Sequence, residues 1–122
     1  MSASNIDIGK KGEQLAKEFL LQKGYEFLEA NYRFSHLEID LIFKDKNQLV
    51  IVEVKTRNTT QLGEPYEAVT KAKQSQLIRA ANFYIEQNEI DLDCRFDVVS
   101  IVLFSDGNYR LQHIIDAFVP EV

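Results

Sequence analysis

The sequence predicts an α/β protein in which a mixed central sheet lies between helices, a three-layer α/β/α sandwich with the element order α-β-β-β-α-β-β. Two segments with apolar residues at helical spacing and five short runs rich in β-branched and aromatic residues support this prediction. The chain has 122 residues, of which 45% are hydrophobic and 27% are charged. These values are typical of a globular protein and predict one domain over residues 1–122.

The two predicted helices follow from the spacing of their apolar residues. The first covers residues 9–23 and ends at Gly24, which is a typical C-terminal stop. The second covers residues 70–88. The apolar stripes consist of Leu15, Ala16, Phe19 and Leu20 in the first helix and of Leu77, Ile78, Ala81 and Ile85 in the second.

The five predicted strands are separated by polar, turn-forming segments. A loop over residues 58–65 precedes the second helix, and Asp106-Gly107 is a hairpin signal between the last two strands. The strands are predicted over residues 25–32, 37–43, 49–56, 95–104 and 109–115.

Charged residues interrupt the apolar strands in the stretch LEIDLIFKDKNQLVIVEVKTR, residues 37–57. Asp40, Glu53 and Lys55 lie inside runs that otherwise consist of Leu, Ile, Val and Phe. Charges in a buried strand are unfavourable unless they are paired or bind a metal ion. These three residues are therefore candidates for a functional site.

The register of the predicted hairpin brings the two carboxylates together. If the chain turns symmetrically at residues 46–47, Asp40 lies opposite Glu53 and Glu38 lies opposite Lys55. The other face is then wholly apolar, with Phe43 opposite Val50, Leu41 opposite Val52 and Ile39 opposite Val54. Facing like charges destabilise a sheet, and a divalent cation between them would remove the repulsion.

This arrangement suits metal-assisted hydrolysis of a phosphodiester. Mg²⁺ typically binds one or two protein carboxylates and completes its octahedron with water and phosphate oxygens. Lys55 points to the same side as Glu53, where it would position or deprotonate an attacking water or stabilise charge on the phosphate. The alternative is an exposed polar face with a surface ion pair between Lys55 and Glu38.

Two resemblances bear on these residues. Asp40 followed by Glu53-Val54-Lys55 resembles the PD-(D/E)XK nuclease signature, with Ile39-Asp40 in place of Pro-Asp. More closely, the chain resembles the YraN-like family of small bacterial proteins, UPF0102, which usually has Gly where Leu37 stands here. The matching segments are Gly12-Glu13 with Ala16 and Leu20, Gly24-Tyr25, Asn31-Tyr32-Arg33, EIDLI at 38–42, VEVKTR at 52–57, Ala68-Val69-Thr70, Lys73-Gln74 and RFDVV at 95–99.

The resemblance implies a restriction-endonuclease-like fold related to the archaeal Holliday-junction resolvases. It implies a Mg²⁺- or Mn²⁺-dependent site in which Asp40 and Glu53 hold the metal ion and Glu13 binds it or its water. Lys55 would complete the catalytic set, and Gln74 resembles a polar residue that often borders such sites. Resolvase-like relatives often act as dimers, so a homodimer is an open expectation.

The charge distribution weakens a nucleic-acid interpretation without excluding it. The net charge of −5 disfavours general phosphate binding, although cations are concentrated in the middle of the chain. Asp97 is predicted to be a buried, hydrogen-bonded acid, Glu38 a structural partner of Lys55 or Arg57, and His36 and His113 surface or edge residues. The candidate nucleic-acid-binding residues are Arg57, Lys71, Lys73 and Gln74.

Three functional hypotheses remain open on this basis. The first is a metal-dependent endonuclease acting on DNA, with branched or single-stranded structures as candidate substrates. The alternative is a non-catalytic module with a nuclease fold that binds nucleic acid or a protein partner in DNA repair, recombination or uptake. A third is an interaction protein that dimerises through the charged strand face.

The expected compartment is the cytoplasm. The apolar runs are too short to span a bilayer, and no basic-then-apolar leader opens the chain. The single cysteine, Cys94, cannot form an internal disulfide, which suits a reducing compartment.

Overall fold

The computed structural model describes residues 4–61 and 63–120, and the predicted order α-β-β-β-α-β-β is confirmed there. A short 3-10 helix, Pro65–Ala68, lies in addition between the predicted loop and the second long helix. The long elements are α1 Asn5–Gln22, β1 Glu26–Phe34, β2 Leu37–Asp45, β3 Gln48–Arg57, α2 Lys71–Gln87, β4 Asp93–Leu103 and β5 Tyr109–Phe118.

Side-chain caps determine where both helices begin. The Ser4 hydroxyl accepts a hydrogen bond from the Asp7 amide at 3.2 Å, so α1 starts four residues before the predicted boundary. The Thr70 hydroxyl caps α2 in the same way. Gly24 follows α1 with φ +97°, as its role as a stop requires. Within residues 4–61 and 63–120, neither helix combines the length and the apolar character that a membrane-crossing segment needs.

The sheet has the strand order β1-β2-β3-β4-β5. Neighbouring strands are antiparallel except β3 and β4, which are parallel and are connected through α2. The β2–β3 hairpin has the predicted register, with Asp45 opposite Gln48 at the turn. Phe43 lies opposite Val50 and Leu41 opposite Val52, so these two predicted pairs are confirmed.

Two hydrophobic cores lie on opposite faces of the sheet. Leu49 and Ile51 of β3 pack with Leu77 of α2, whereas the alternate residues of β3 pack against α1. Because successive side chains of a strand point to opposite faces, each helix covers one face. The predicted three-layer α/β/α sandwich is therefore confirmed.

Ile39 differs from its predicted place. It belongs to the core beneath α2, whereas Leu41 and Phe43 belong to the core beneath α1. Regular pairing of β2 with β3 ends at Leu41 and Val52, so the strict alternation that the prediction assumed does not extend beyond that pair. The predicted pairing of Ile39 with Val54 is absent from the described register.

Candidate active site

Asp40 and Glu53 lie side by side where β2 separates from β3. The Asp40 carboxylate accepts a hydrogen bond from the Val54 amide at 2.8 Å. This side-chain bond takes the place of a backbone hydrogen bond between the two strands. The carboxyl group of Glu53 is close enough to that of Asp40 for the two to form a hydrogen bond when one of them is protonated. Glu53 is only 2% exposed. The two acids are therefore neighbours, as predicted. The predicted cross-strand pairs of Asp40 with Glu53 and of Glu38 with Lys55 are absent from the described register, which ends at Leu41 and Val52.

The two carboxyl groups cannot both be ionised without a large penalty. Burial is the main cause that raises the pKa of Asp40 to about 8, and the hydrogen bond and negative charge of Glu53 add to it. The Val54 amide and the Lys73 ammonium act in the opposite direction but do not cancel the rise. In the metal-free protein the pair therefore shares a proton at neutral pH.

Two lysines approach Glu53 from different elements. Lys55 lies two residues along β3, with its Nζ 3.9 Å from Glu53 Oε2, and Lys73 of α2 lies closer, at 3.3 Å. Both side chains remain about a third exposed, at 32% and 31%. Both ammonium groups can therefore reach a ligand at the mouth of the site while they balance the charge of Glu53.

The sequence did not predict the contact between Lys73 and Glu53. It indicated Lys73 only as a candidate nucleic-acid-binding residue. No spacing rule connects residues 53 and 73. The parallel β3-α2-β4 connection brings the first turn of α2 over the end of β3, and only that packing creates the contact.

Glu13 reaches the same region from α1 and is held by Asn31. The Asn31 amide donates hydrogen bonds to Glu13 at 2.7 Å and to Glu38 at 3.1 Å. Asn31 has φ +53°, a left-handed conformation that Asn adopts more readily than most residues. The sequence showed Asn31 only as part of a matching segment, and its role as a bridge was missed.

Glu38 has a different partner from the predicted one. Its ion-pair partner among the described residues is Arg33, at 3.6 Å, and not Lys55 or Arg57. Arg33 and Glu38 are directly opposite on the antiparallel strands β1 and β2. Pairing across the β1–β2 hairpin, and not across the β2–β3 hairpin, therefore determines the partner of Glu38.

The charge of Asp40 acts on Glu13, but Glu13 does not form a three-carboxylate metal-binding cluster with Asp40 and Glu53. Burial raises the pKa of Glu13, the Asn31 hydrogen bond opposes this, and the charges of Asp40 and Glu38 raise the pKa further. In the part of the chain that the structure describes, no group of three or more His, Cys, Asp or Glu side chains is arranged to hold a metal ion. The site is a two-carboxylate site with Glu13 beside it.

This donor set fits a hard divalent cation. Two carboxylates match the number that Mg²⁺ usually takes from a protein, with water and phosphate oxygens in the remaining positions. A cation would replace the shared proton of Asp40 and Glu53 and remove the repulsion that raises the pKa of Asp40.

The four candidate nucleic-acid-binding residues fall into separate places. Arg57 lines an open groove of about 320 Å³ together with Lys55. Lys73 forms an ion pair with Glu53. Lys71 and Gln74 line another groove, of about 350 Å³, beside the C-terminal residues of the described chain. The Gln74 amide donates to the Val69 carbonyl at 3.2 Å, so it helps to hold the start of α2.

A second polar cluster lies on the opposite face of the sheet. Asp97 pairs in register with Val52, whose side chain faces α1, and it is 1% exposed. It accepts hydrogen bonds from Arg95, from the Asp116 amide and from His113 at 2.7 Å. The predicted structural role of Asp97 is confirmed. His113 does lie on an edge strand, β5, as one form of the prediction had it, but its side chain is 3% exposed, so the alternative of a surface position is wrong.

Comparison with known proteins identifies the family. The profile described as "Uncharacterised protein family UPF0102" matches residues 12–101. The chain belongs to the UPF0102 family. A UPF0102 protein of Christiangramia forsetii is 44% identical over 95% of this chain and 97% of its own length. UPF0102 proteins of Bacteroides thetaiotaomicron and Chloroherpeton thalassium are 40% and 50% identical over 97% and 82% of this chain, and over 97% and 78% of their own lengths.

Membership in the UPF0102 family confirms the resemblance that the sequence motifs indicated. The matched residues include Glu13, Asp40, Glu53 and Lys55. Because the family description assigns no activity, the chemistry has to be argued from the site itself.

Proposed function

We propose that this protein is a metal-dependent endonuclease that hydrolyses phosphodiester bonds in DNA, with branched or single-stranded structures as candidate substrates. One observation supports this proposal above the others. The neighbouring carboxyl groups of Asp40 and Glu53 lie where β2 separates from β3, and the ammonium groups of Lys55 and Lys73 lie 3.9 and 3.3 Å from Glu53.

Each residue of the site has a role in the proposed reaction. Asp40 and Glu53 would hold Mg²⁺ or Mn²⁺, and Glu13 would bind the ion or one of its waters. When bound, the ion supplies positive charge that polarises a phosphodiester oxygen and acidifies water. Lys55 would position the attacking water. Lys73 balances the negative charge of Glu53 and would stabilise negative charge on the phosphate.

The surroundings suit a polymer substrate. Lys55 and Arg57 line an open groove with Asn58 and Thr59 at the C-terminal end of β3. Cationic and amide side chains along an open groove are typical of proteins that bind a sugar–phosphate backbone.

A cleavage assay tests the proposed activity. Labelled single-stranded, duplex, flapped and four-way DNA would be incubated with Mg²⁺ or Mn²⁺ and with wild type, Asp40→Asn or Lys55→Met. Both variants should lose at least about 100-fold in rate, the effect typical of removing one member of a catalytic set. Glu26→Gln is the matched control, since it removes a carboxylate at an exposed position at the start of β1.

Cleavage that persists in purified Asp40→Asn or Lys55→Met would contradict the proposal. A folded wild type that cuts none of the four DNAs with either metal would also count against it.

The second candidate is a module that binds DNA or a protein partner without turnover. The net charge of −5 favours the protein-partner form of this candidate, because affinity for nucleic acid depends largely on cations. Metal-independent DNA binding without cleavage would support this candidate. Sedimentation of wild type with and without four-way DNA would test the homodimer that resolvase-like proteins suggest.

A further inference from the structure

Helix α1 contains two glycines, and only one of them is explained by packing within the chain. A Cβ atom at Gly12 would collide with the Thr56 hydroxyl, so the close approach of α1 to β3 requires glycine there. A Cβ atom at Gly9 would meet no other part of the described chain within 4 Å.

The backbone conformation does not explain Gly9 either. Gly9 lies inside α1 and is not among the described residues with positive φ. A helix with glycine at an interior position is less stable than one with alanine there, because glycine loses more backbone freedom on folding. The chain therefore carries an unfavourable residue at an open position, which is typical of a place where a ligand approaches the backbone closely.

Gly9 lies at the junction of two grooves. The first groove, of about 320 Å³, contains Lys55 and Arg57. The second groove, of about 570 Å³, contains Glu13 and Arg33. Gly9 and Asn5 line both, so the route between the grooves crosses the surface of α1 at these residues.

We propose that a nucleic-acid strand crosses α1 at Gly9, with its sugar–phosphate backbone lying against the helix backbone there. This inference rests on the proposed function and adds the path of the substrate to it. The strand runs from the groove with Lys55 and Arg57 to the groove with Lys10 and Arg33, so cations lie on both sides of the crossing.

The two grooves also connect the crossing to the chemistry. Lys55, in the first groove, lies 3.9 Å from Glu53. Glu13, in the second, is joined through the Asn31 amide to Glu38, which is two residues from Asp40 on β2. A strand that crosses at Gly9 therefore passes beside the acid pair. A side chain at residue 9 would lift the strand away from it.

Gly9→Ala and Gly9→Leu separate this role from a structural one. Both substitutions should raise Tm, by about 2–6 °C for alanine, because they favour the helix in an open position. Affinity for single-stranded and four-way DNA, measured by fluorescence anisotropy with Ca²⁺, should fall about tenfold for alanine and further for leucine.

Gln14→Ala and Gln14→Leu are the matched controls. Gln14 is exposed on the same helix and lies about 140° around its axis from Gly9. These variants should leave DNA affinity within about twofold of wild type.

The outcomes distinguish this inference from the proposed function. Wild-type binding that the Gly9 variants fully retain would overturn the crossing and leave the nuclease proposal standing. A fall in Tm for Gly9→Ala would also overturn it, since the glycine would then have a structural role. If wild type binds none of the DNAs, the proposed function and the crossing fail together.

Discussion

Replacing Asp40 by asparagine should stabilise the protein, and the gain should depend on pH. The side-chain oxygen of the new asparagine keeps the hydrogen bond from the Val54 amide, and its NH₂ group can donate to Glu53. The substitution replaces an ionisable carboxyl group by an uncharged amide of nearly the same shape. It therefore isolates the penalty that the site incurs for holding two carboxyl groups together.

The magnitude follows from the pKa of Asp40, which rises from 3.8 to about 8, chiefly because of burial. Each pKa unit corresponds to about 1.4 kcal/mol, so the full difference at pH 7 would be about 4 kcal/mol. Because Asp40 is only partly buried, water screens some of this energy, and we expect a gain of about 1–3 kcal/mol.

The sign of the pH dependence follows from the raised pKa of Asp40. Below pH 3.8 the group is protonated in both states, so its ionisation does not affect stability. Between pH 3.8 and about 8 the unfolded chain ionises while the folded protein keeps the proton, so wild-type stability falls relative to Asp40→Asn. Above pH 8 the difference becomes constant.

Urea denaturation of both proteins in EDTA, at intervals from pH 4.5 to 8.5, measures this difference. Glu26→Gln, at an exposed position of β1, reports the effect of removing a carboxylate elsewhere. A difference between wild type and Asp40→Asn that stays constant with pH would refute the reasoning. So would an asparagine variant that is less stable than wild type at pH 7.

Three further predictions concern the metal ion, the second polar cluster and the Asn31 bridge. Mn²⁺ at 100 times its Kd should stabilise wild type by about 2.7 kcal/mol and Asp40→Asn much less, which thermal unfolding with and without EDTA would show. Asp97→Ala should cost about 2–4 kcal/mol in urea denaturation, because buried Arg95 loses both of its bonds to Asp97 and is left with the longer ion pair to Asp45, at 3.3 Å. Burial raises the pKa of Asp97, but the hydrogen bonds that its carboxylate accepts lower it by more, so the pKa is lowered overall. In wild type, the stability that ionised Asp97 contributes should therefore be lost as pH falls below about 4. Asn31→Ala should slow DNA cleavage about tenfold because Glu13 loses its donor at 2.7 Å, whereas Glu29→Ala, two residues earlier on β1, should not.

Much of the fold and the centre of the site could be predicted from local pattern. The alternation of Val50 and Val52 with Ile51 identified a strand buried on both faces, and the symmetrical turn between Asp45 and Gln48 determined its register. The same period of two places Lys55 on the side of Glu53. These features depend on residues close in sequence, for which the helical and strand periods are reliable guides.

The prediction failed where local regularity ends. Ile39 packs beneath α2 because the β2–β3 ladder stops at Leu41, and no sequence period indicates that end. His113 lies on the edge strand β5, where the sequence suggested an exposed side chain, yet its side chain is buried against Asp97 across the β4–β5 hairpin. A charged or polar residue in a strand can be exposed or paired, and only its neighbour on the next strand decides which.

The sequence by itself determined the elements, the family and the acid pair, because each is encoded in residues that are adjacent or repeat at a fixed period. The tertiary structure alone decided which cations and donors complete the site. It brought Lys73 to Glu53 across the parallel connection and Asn31 between Glu13 and Glu38. It also left Gly9 facing open grooves while Gly12 packs on Thr56. Such contacts depend on how the helices pack on the sheet, and the spacing of residues along the sequence does not predict that packing.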